Sequence, residues 1–203
     1  MEMEIKKILV KFPRAELDAV NCLPFLVTLS EEFPKAEINV ITEEGCSYIL
    51  SFLPFKLRSY ERPATKLSLI ETHHYCANLH DVFNIDLFFD LENSLNSAFL
   101  GFNFRSKERV GYEVKWNKYL LTKRFPDQPM MPIEKKSMKL LELYLNKNLS
   151  DVRIAKSKET GQQIESIEKL FKEPEPPKFI MVMLDNFASV SKQIDIWKSF
   201  FDC

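Results

Sequence analysis

The 203-residue sequence has little glycine: four residues in all, and no G-x-G-x-x-G or other glycine-rich phosphate loop. This argues against dinucleotide binding, because glycine is what lets the backbone approach a pyrophosphate closely. Cysteine is also scarce. The four cysteines are widely spaced and form no C-x-x-C pair, so we expect free, mostly packed thiols and no disulfide framework.

The sequence also lacks an excess of charge and a long apolar run. The formal net charge of -1 gives no global attraction to nucleic acid or acidic lipid. No run of about 18 apolar residues predicts a membrane span, and MEMEIKKILV at the N-terminus predicts no signal peptide, so a cytoplasmic location is expected. A hydrophobic content of 45% with 28% charged residues is typical of a soluble globular domain.

Apolar patterns alternate between strand and helix along the chain. Strands are predicted at 4–11, 36–42, 55–60 and 85–91, and strand or extended segments at 107–114 and 117–125. Helices are predicted at 13–33, 43–53, 64–83, 92–102, 133–145 and 162–171. The first of these helices has apolar residues at helical spacing, namely Leu17, Val20, Leu23, Leu26 and Leu29. The alternation predicts an α/β fold, a Rossmann-like parallel sheet with helices on both faces.

A proline-rich joint divides the sequence near its end. KEPEPPK at 172–178 has three prolines in seven residues and should be extended and stiff. We therefore expect a Rossmann-like domain at 1–172, a linker at 173–178, and the start of a second domain at 179–203. The apolar stretch KFIMVML predicts a buried strand that opens this second domain.

Ligands of a doubly wound sheet bind beyond the carboxyl ends of the strands, which points to the loops after residues 11, 42 and 90. The first loop carries Lys11, Arg14, Glu16 and Asp18. A carboxylate there can act as a general base, and the cations can hold phosphate or carboxylate groups. Asp18 is equally typical of a first helical turn, where the macrodipole favours an acidic residue. Both interpretations stay open.

A second polar group lies in HHYCANLH. His73, Cys76 and His80 would share one face of a helix and could bind Zn²⁺. A fourth ligand is not evident, and structural zinc usually needs four protein ligands. An ordinary amphipathic segment is therefore the favoured interpretation.

Several segments together carry a family resemblance. They are KILVKFPRAELDAVNCLPFLVTLSEEFPKAEINVITEEG at 7–45, IDLFFDLENSLNSAFL at 85–100, ERVGY at 108–112 and KFIMVMLDNFASVSKQIDIW at 178–197. In order and spacing they resemble the ADP-heptose:lipopolysaccharide heptosyltransferases, glycosyltransferase family 9. The resemblance implies a GT-B fold, in which two Rossmann-like domains face each other across a cleft.

The resemblance also implies a reaction and its residues. The reaction is inverting transfer of heptose from an ADP-sugar to lipopolysaccharide core, with no metal or other cofactor, peripheral contact with the inner membrane and no nucleic acid partner. Asp18 takes the position of the catalytic base. The implied acceptor-binding residues are Lys11, Arg14 and Arg109, and those for the donor diphosphate are Ser189, Ser191 and Lys192.

The sequence departs from the family pattern in several respects. Arg14 and Ala15 stand where the family has a pair of small serines, and Glu92 and Asn93 stand where it has glutamine-glycine after the fourth strand. Leu17 stands where the family has glycine before the aspartate, which changes a turn or blocks a close backbone approach. Only residues 179–203 correspond to the donor-side domain, so we expect an incomplete or inactive transferase. The alternative is a non-catalytic module, derived from that family, that binds anionic glycans or has a regulatory role. A flavodoxin-like nucleotide-binding module is a weaker third hypothesis because no glycine-rich loop is present.

Overall fold

The computed structural model describes residues 5–65, 67–79 and 82–149. In them, one six-stranded sheet has the order β3-β2-β1-β4-β5-β6, and every neighbouring pair is parallel. The strands are β1 (Lys7–Lys11), β2 (Glu37–Glu43), β3 (Arg58–Arg62), β4 (Leu87–Asp90), β5 (Glu108–Glu113) and β6 (Lys123–Pro126). The helices are α1 (Glu16–Asn21), α2 (Leu23–Glu32), α3 (Leu69–Asn78), α4 (Leu95–Asn103) and α5 (Ile133–Leu145). Two short 3-10 helices span Ser47–Phe52 and Asn117–Tyr119.

Both faces of the sheet are buried. Successive strand residues point to opposite faces, so Val10 and Phe89 pack under α1, α2 and α5, whereas Leu9 and Phe88 pack under α3 and α4. β1 and β4, the central strands, are apolar on both sides, as parallel strands between two helical layers must be. The predicted Rossmann-like α/β fold is confirmed.

Gly101 sets how closely α4 approaches the sheet. A Cβ atom at this position would lie 2.4 Å from Cδ1 of Phe88, which is fully buried in β4. Two carbon atoms cannot pack at that distance, because carbon contacts are optimal near 3.5–4.0 Å. Glycine at this position therefore allows α4 to lie directly against β4.

The helix predicted over 13–33 is two helices. α1 and α2 meet at Cys22, and Pro24 lies in the first turn of α2, where its missing N–H leaves no hydrogen bond unmade. The break changes the helical phase, so Leu17 is 69% exposed and Val20 39% exposed. The apolar face predicted for this segment was wrong for these two residues.

Other boundaries differ less. The short helix predicted at 43–53 is a 3-10 helix at Ser47–Phe52, and α3 is shorter than the predicted 64–83. β6 overlaps only the end of the segment predicted at 117–125 and extends to Pro126. α5 has the predicted bounds. The predicted helix at 162–171, the joint and the strand at 178–184 lie outside the described residues. No helix among the described residues has both the length and the apolar character needed to span a membrane.

Candidate functional site

The order of the strands reverses between β1 and β4, so a ligand crevice is expected at the carboxyl edge of the sheet between these two strands. The chain leaves these neighbouring strands toward opposite faces, since α1 and α2 follow β1 on one face and α4 follows β4 on the other. Such a divergence is where Rossmann-like folds bind ligands. The loops after residues 11, 42 and 90, which were predicted from the sequence to bind a ligand, begin at this edge.

Lys11, the last residue of β1, is a fully buried cation at the crevice. Its Nζ lies 2.9 Å from Oε1 of Glu43 and 3.1 Å from Oε2 of Glu92, and it donates to the carbonyl oxygen of Phe12 at 2.8 Å. A buried ammonium without partners would be strongly destabilising. These three contacts therefore explain how β1 can end in a buried lysine.

Arg62, the last residue of β3, is a second fully buried cation. Its Nη1 lies 3.9 Å from Oε1 of Glu43 and 3.8 Å from Oε2 of Glu92. These distances are too long for hydrogen bonds, and none of the guanidinium nitrogens has a hydrogen-bond partner among the described residues. Arg62 thus supplies charge without the bidentate geometry that usually accompanies a buried arginine.

Arg14 is a third cation next to these buried charges, and it is exposed to solvent. Its Nε donates to Oε1 of Glu92 at 2.9 Å, and 38% of its side chain is exposed. Burial alone would raise the pKa of Glu92, but the charges of Lys11 and Arg14 hold it below its ordinary value. Three cations face two carboxylates in this set, which we call the carboxyl-edge cluster: Lys11, Arg14, Glu43, Arg62 and Glu92.

Asp90, the last residue of β4, is a buried carboxyl group beside the cluster. Its Oδ1 accepts hydrogen bonds from the backbone N–H groups of Glu92 and Asn93, and its Oδ2 accepts one from Ser97 Oγ at 2.9 Å. Ser97 and Ser94 form a reciprocal cap at the start of α4. Burial raises the pKa of Asp90 to about 7, although the hydrogen bonds act against it. Asp90 therefore ties the start of α4 to the cluster and titrates near neutral pH.

Asp18 lies in the first turn of α1, four residues after Arg14. Its side chain is half-buried, and its carboxylate makes no hydrogen bond or ion pair with another described residue. A free carboxylate thus follows the exposed arginine in the loop that leaves β1. This position is compatible both with a base and with a helix first-turn acid.

Arg109 lies apart from the cluster. It is in register with Phe88, whereas Lys11 is in register with Asp90, two residues closer to the carboxyl edge. Its guanidinium donates to two backbone carbonyl oxygens at 2.5 and 2.6 Å. The structure therefore brings Lys11 and Arg14 together and does not bring Arg109 to them.

Other predicted site residues cannot be placed. Ser189, Ser191 and Lys192 lie outside the described residues, as does His80 of the zinc hypothesis. Within the described ranges, no three His, Cys, Asp or Glu side chains are grouped so as to hold a metal ion. The cysteines in these ranges are free thiols: Cys22, Cys46 and Cys76.

Sequence reasoning missed both carboxylates of the cluster and one of its cations. Glu43 was not singled out as a site residue, Glu92 was noted only as a departure from the family pattern, and Arg62 followed a strand predicted to end at residue 60. The usable signal was a charged residue directly after each buried strand. Because parallel strands end at the same edge, such residues must converge.

The parallel sheet and its strand order define a Rossmann-like α/β domain, the type of domain found in GT-B glycosyltransferases. No protein-family model matches the sequence, and no curated protein matches it. Three solved structures are similar in fold. The glycosyl transferase family 9 structure from Veillonella parvula has a TM-score of 0.62 at 16% identity and covers 85% of this chain. E. coli heptosyltransferase WaaC with ADP-2-deoxy-2-fluoro heptose has a TM-score of 0.57 at 15% identity over 70% of this chain.

The third structure is E. coli ADP-heptose lps heptosyltransferase II, with a TM-score of 0.56 at 19% identity over 94% of this chain. The matches cover 52%, 49% and 50% of the three structures, so this chain spans about half the length of each. At such low identity the likeness defines the fold alone.

Proposed function

We propose that this chain supplies the acceptor-side domain of a glycosyltransferase of the heptosyltransferase type, which transfers heptose from an ADP-sugar to lipopolysaccharide core. Two independent features support the proposal. The chain shares its fold with three family 9 structures, two of them described by ADP-heptose or an analogue of it. The carboxyl-edge cluster, with Arg14 exposed four residues before a free Asp18, is the single observation that carries it.

The cluster is suited to a phosphorylated sugar. Arg14 uses only Nε to bind Glu92, so its Nη groups can donate to a phosphate oxygen. Lys11 and Arg62 stay buried and act through their charge, because they offset the negative charge of Glu43 and Glu92. The acceptor is thus held by one direct cation, Arg14, whose carboxylate partner Glu92 is also neutralised by the two buried cations.

Asp18 is proposed as the general base. Its carboxylate takes the proton from the acceptor hydroxyl as that oxygen bonds to the anomeric carbon of the heptose, while the bond from this carbon to the diphosphate breaks and ADP leaves. Ser189, Ser191 and Lys192 are proposed to hold the donor diphosphate. Arg109 has no part in this site, because its guanidinium is bound to backbone carbonyl groups elsewhere.

A second candidate function is binding of an anionic glycan without transfer. The observation that favours it is Leu17, an apolar side chain 69% exposed directly beside Asp18, where the family has glycine. A leucine there narrows the approach of an acceptor hydroxyl to the carboxylate. Binding at Arg14 would remain possible.

Calorimetry with the full chain and a phosphorylated core oligosaccharide tests both functions. Arg14→Gln should weaken binding by roughly tenfold or more, since a hydrogen bond to a charged group contributes about 1.5–3 kcal/mol. Arg58→Gln is the matched control, because Arg58 is also an exposed arginine but lies at the amino end of β3. Equal binding by wild type and Arg14→Gln would contradict both functions.

Release of ADP from ADP-heptose separates the two functions. If the chain catalyses transfer, Asp18→Asn should leave oligosaccharide binding unchanged and slow transfer by about 10²–10⁴-fold, the usual contribution of a general base. Binding without any transfer would favour the second candidate. Transfer that survives Asp18→Asn would remove Asp18 from the mechanism.

A further inference from the structure

A cavity of about 560 Å³ lies between the C-terminal parts of α3 and α4 and the start of β5. This volume is within the ~300–1,000 Å³ typical of small-molecule sites. None of its lining residues belongs to the carboxyl-edge cluster, and the lining residues near β5 precede or begin that strand. The cavity is therefore distinct from the proposed acceptor site.

Arg109 is held rigidly in the wall of this cavity. Its Nε donates to the carbonyl oxygen of Leu120 at 2.5 Å and its Nη1 donates to that of Ser106 at 2.6 Å. The guanidinium carbon also lies 5.9 Å from the centre of the Phe102 ring. These contacts fix the plane of the guanidinium and leave Nη2 free, so Arg109 is preorganised to donate to a ligand.

Ser106 places an unused hydroxyl group next to Arg109. The residue is only 2% exposed, and its Oγ has no hydrogen-bond partner among the described residues. Nearly all buried hydroxyl groups in folded proteins are hydrogen-bonded. Ser106 and Arg109 both line the cavity, and Nη1 of Arg109 donates to the Ser106 carbonyl oxygen, so the two residues form one corner of the cavity.

The other lining residues define the kind of ligand. Arg105 adds a second guanidinium, and none of the described residues that line the cavity is acidic. The carbonyl ends of α3 and α4 contribute a weak negative potential, which two full positive charges outweigh. The side chains of Phe83 and Phe102 form an apolar part of the cavity wall. The cavity thus combines a cationic, hydrogen-bonding corner with an aromatic side.

We propose that this cavity binds a small organic anion, with its carboxylate or phosphate head on Ser106 and Arg109 and an aromatic or apolar body against Phe83 and Phe102. The head accepts hydrogen bonds from the Ser106 hydroxyl and from Nη2 of Arg109. This second ligand site does not depend on the function proposed for the carboxyl edge.

The test is an NMR titration of the full chain with phenyl phosphate and, separately, with benzoate. Inorganic phosphate and benzyl alcohol are the controls, because each has only one half of the proposed ligand chemistry. We expect at least one aromatic anion to bind several-fold more tightly than either control, with the largest shifts at 73–77 and 102–109. The stronger of the two anions identifies the preferred head group.

Two serine variants make the test specific. Ser106→Ala should weaken binding roughly tenfold without lowering stability, because it removes a hydroxyl that has no partner among the described residues. Ser137→Ala is the matched control: Ser137 is also 2% exposed, but its Oγ donates to the carbonyl oxygen of Glu134 at 2.9 Å. It should lower stability and leave binding unchanged. Unchanged affinity in Ser106→Ala, equal affinity for benzyl alcohol, or shifts confined to 11–18 would overturn the proposal.

Discussion

Lys11 and Arg62 are both fully buried cations, but they contact the same two carboxylates differently. Lys11 lies within 3.1 Å of Glu43 and of Glu92, whereas Arg62 is 3.8 Å or more from each. Removal of one partner from a buried pair is costly when it leaves charge uncompensated. Removal of an ion that makes no hydrogen bonds relieves a desolvation penalty instead.

We therefore predict opposite results for the same chemical change at these two positions. Lys11→Met should lower the free energy of unfolding by roughly 3–5 kcal/mol, because Glu43 and Glu92 lose their close partner. Arg62→Met should change it by less than about 1 kcal/mol or raise it, since two cations and two carboxylates remain. Urea unfolding of both variants checks this, and equal destabilisation by the two would contradict the assigned roles.

Asp90 gives the protein a specific dependence on pH. Its ordinary pKa is 3.8 and burial raises it to about 7 in the folded protein. A raised folded-state pKa means that the folded state binds the proton more tightly, so this contribution to stability is full below about pH 4 and lost as the pH rises through 7. Glu92 has a lowered pKa and acts in the opposite direction, with stability lost as the pH falls.

Asp90→Asn isolates the first of these contributions, because asparagine resembles the protonated carboxyl group and does not titrate. We predict that the wild type loses stability relative to Asp90→Asn as the pH rises from 5 to 8. Urea unfolding of both proteins across that range is the measurement. A difference in unfolding free energy that stays constant with pH would show that Asp90 is not a buried acid with a raised pKa.

At the scale of elements, some boundaries could be predicted from the sequence pattern, whereas others depend on tertiary contacts. α5 could be predicted to the residue because its apolar positions follow one uninterrupted helical period. The boundary between α1 and α2 could not be predicted, because the break at Cys22 depends on how the chain turns over the sheet. Leu17 was assigned to the apolar face of the predicted helix because of its helical spacing, but its side chain is exposed. The carboxyl edge was predictable from strand ends, but the ion pairs of Arg62 depend on packing across three strands.

Gly101 offers a test of the contact between α4 and the sheet. Gly101→Ala should destabilise the protein by about 1–3 kcal/mol through overpacking, although alanine is the better helix former. Gly111→Ala should cost less, because its Cβ would lie 3.3 Å from its nearest neighbours rather than 2.4 Å from Phe88. If thermal unfolding ranks the two variants in the reverse order, the proposed fit of α4 against β4 is wrong.

For the whole molecule, the net charge and the local charge lead to different expectations. The chain has a net charge of -1, yet the carboxyl-edge cluster brings three cations and two carboxylates together. Association with the phosphorylated core oligosaccharide should therefore depend on this site rather than on the total charge, and should weaken with added salt because Arg14 is solvent-exposed. Ligands that bind elsewhere should not show the same dependence on Arg14.

Chemical-shift mapping of the full chain with a phosphorylated lipopolysaccharide-core oligosaccharide tests the central claim most directly. We predict salt-sensitive shifts centred on 12–18, 43–47 and 92–95, the loops around the carboxyl-edge cluster, and their loss in Arg14→Gln but not in Arg58→Gln. Shifts that centre on 102–109 would place the ligand in the other cavity. That result, or shifts that persist unchanged in Arg14→Gln, would contradict an acceptor site at the carboxyl edge.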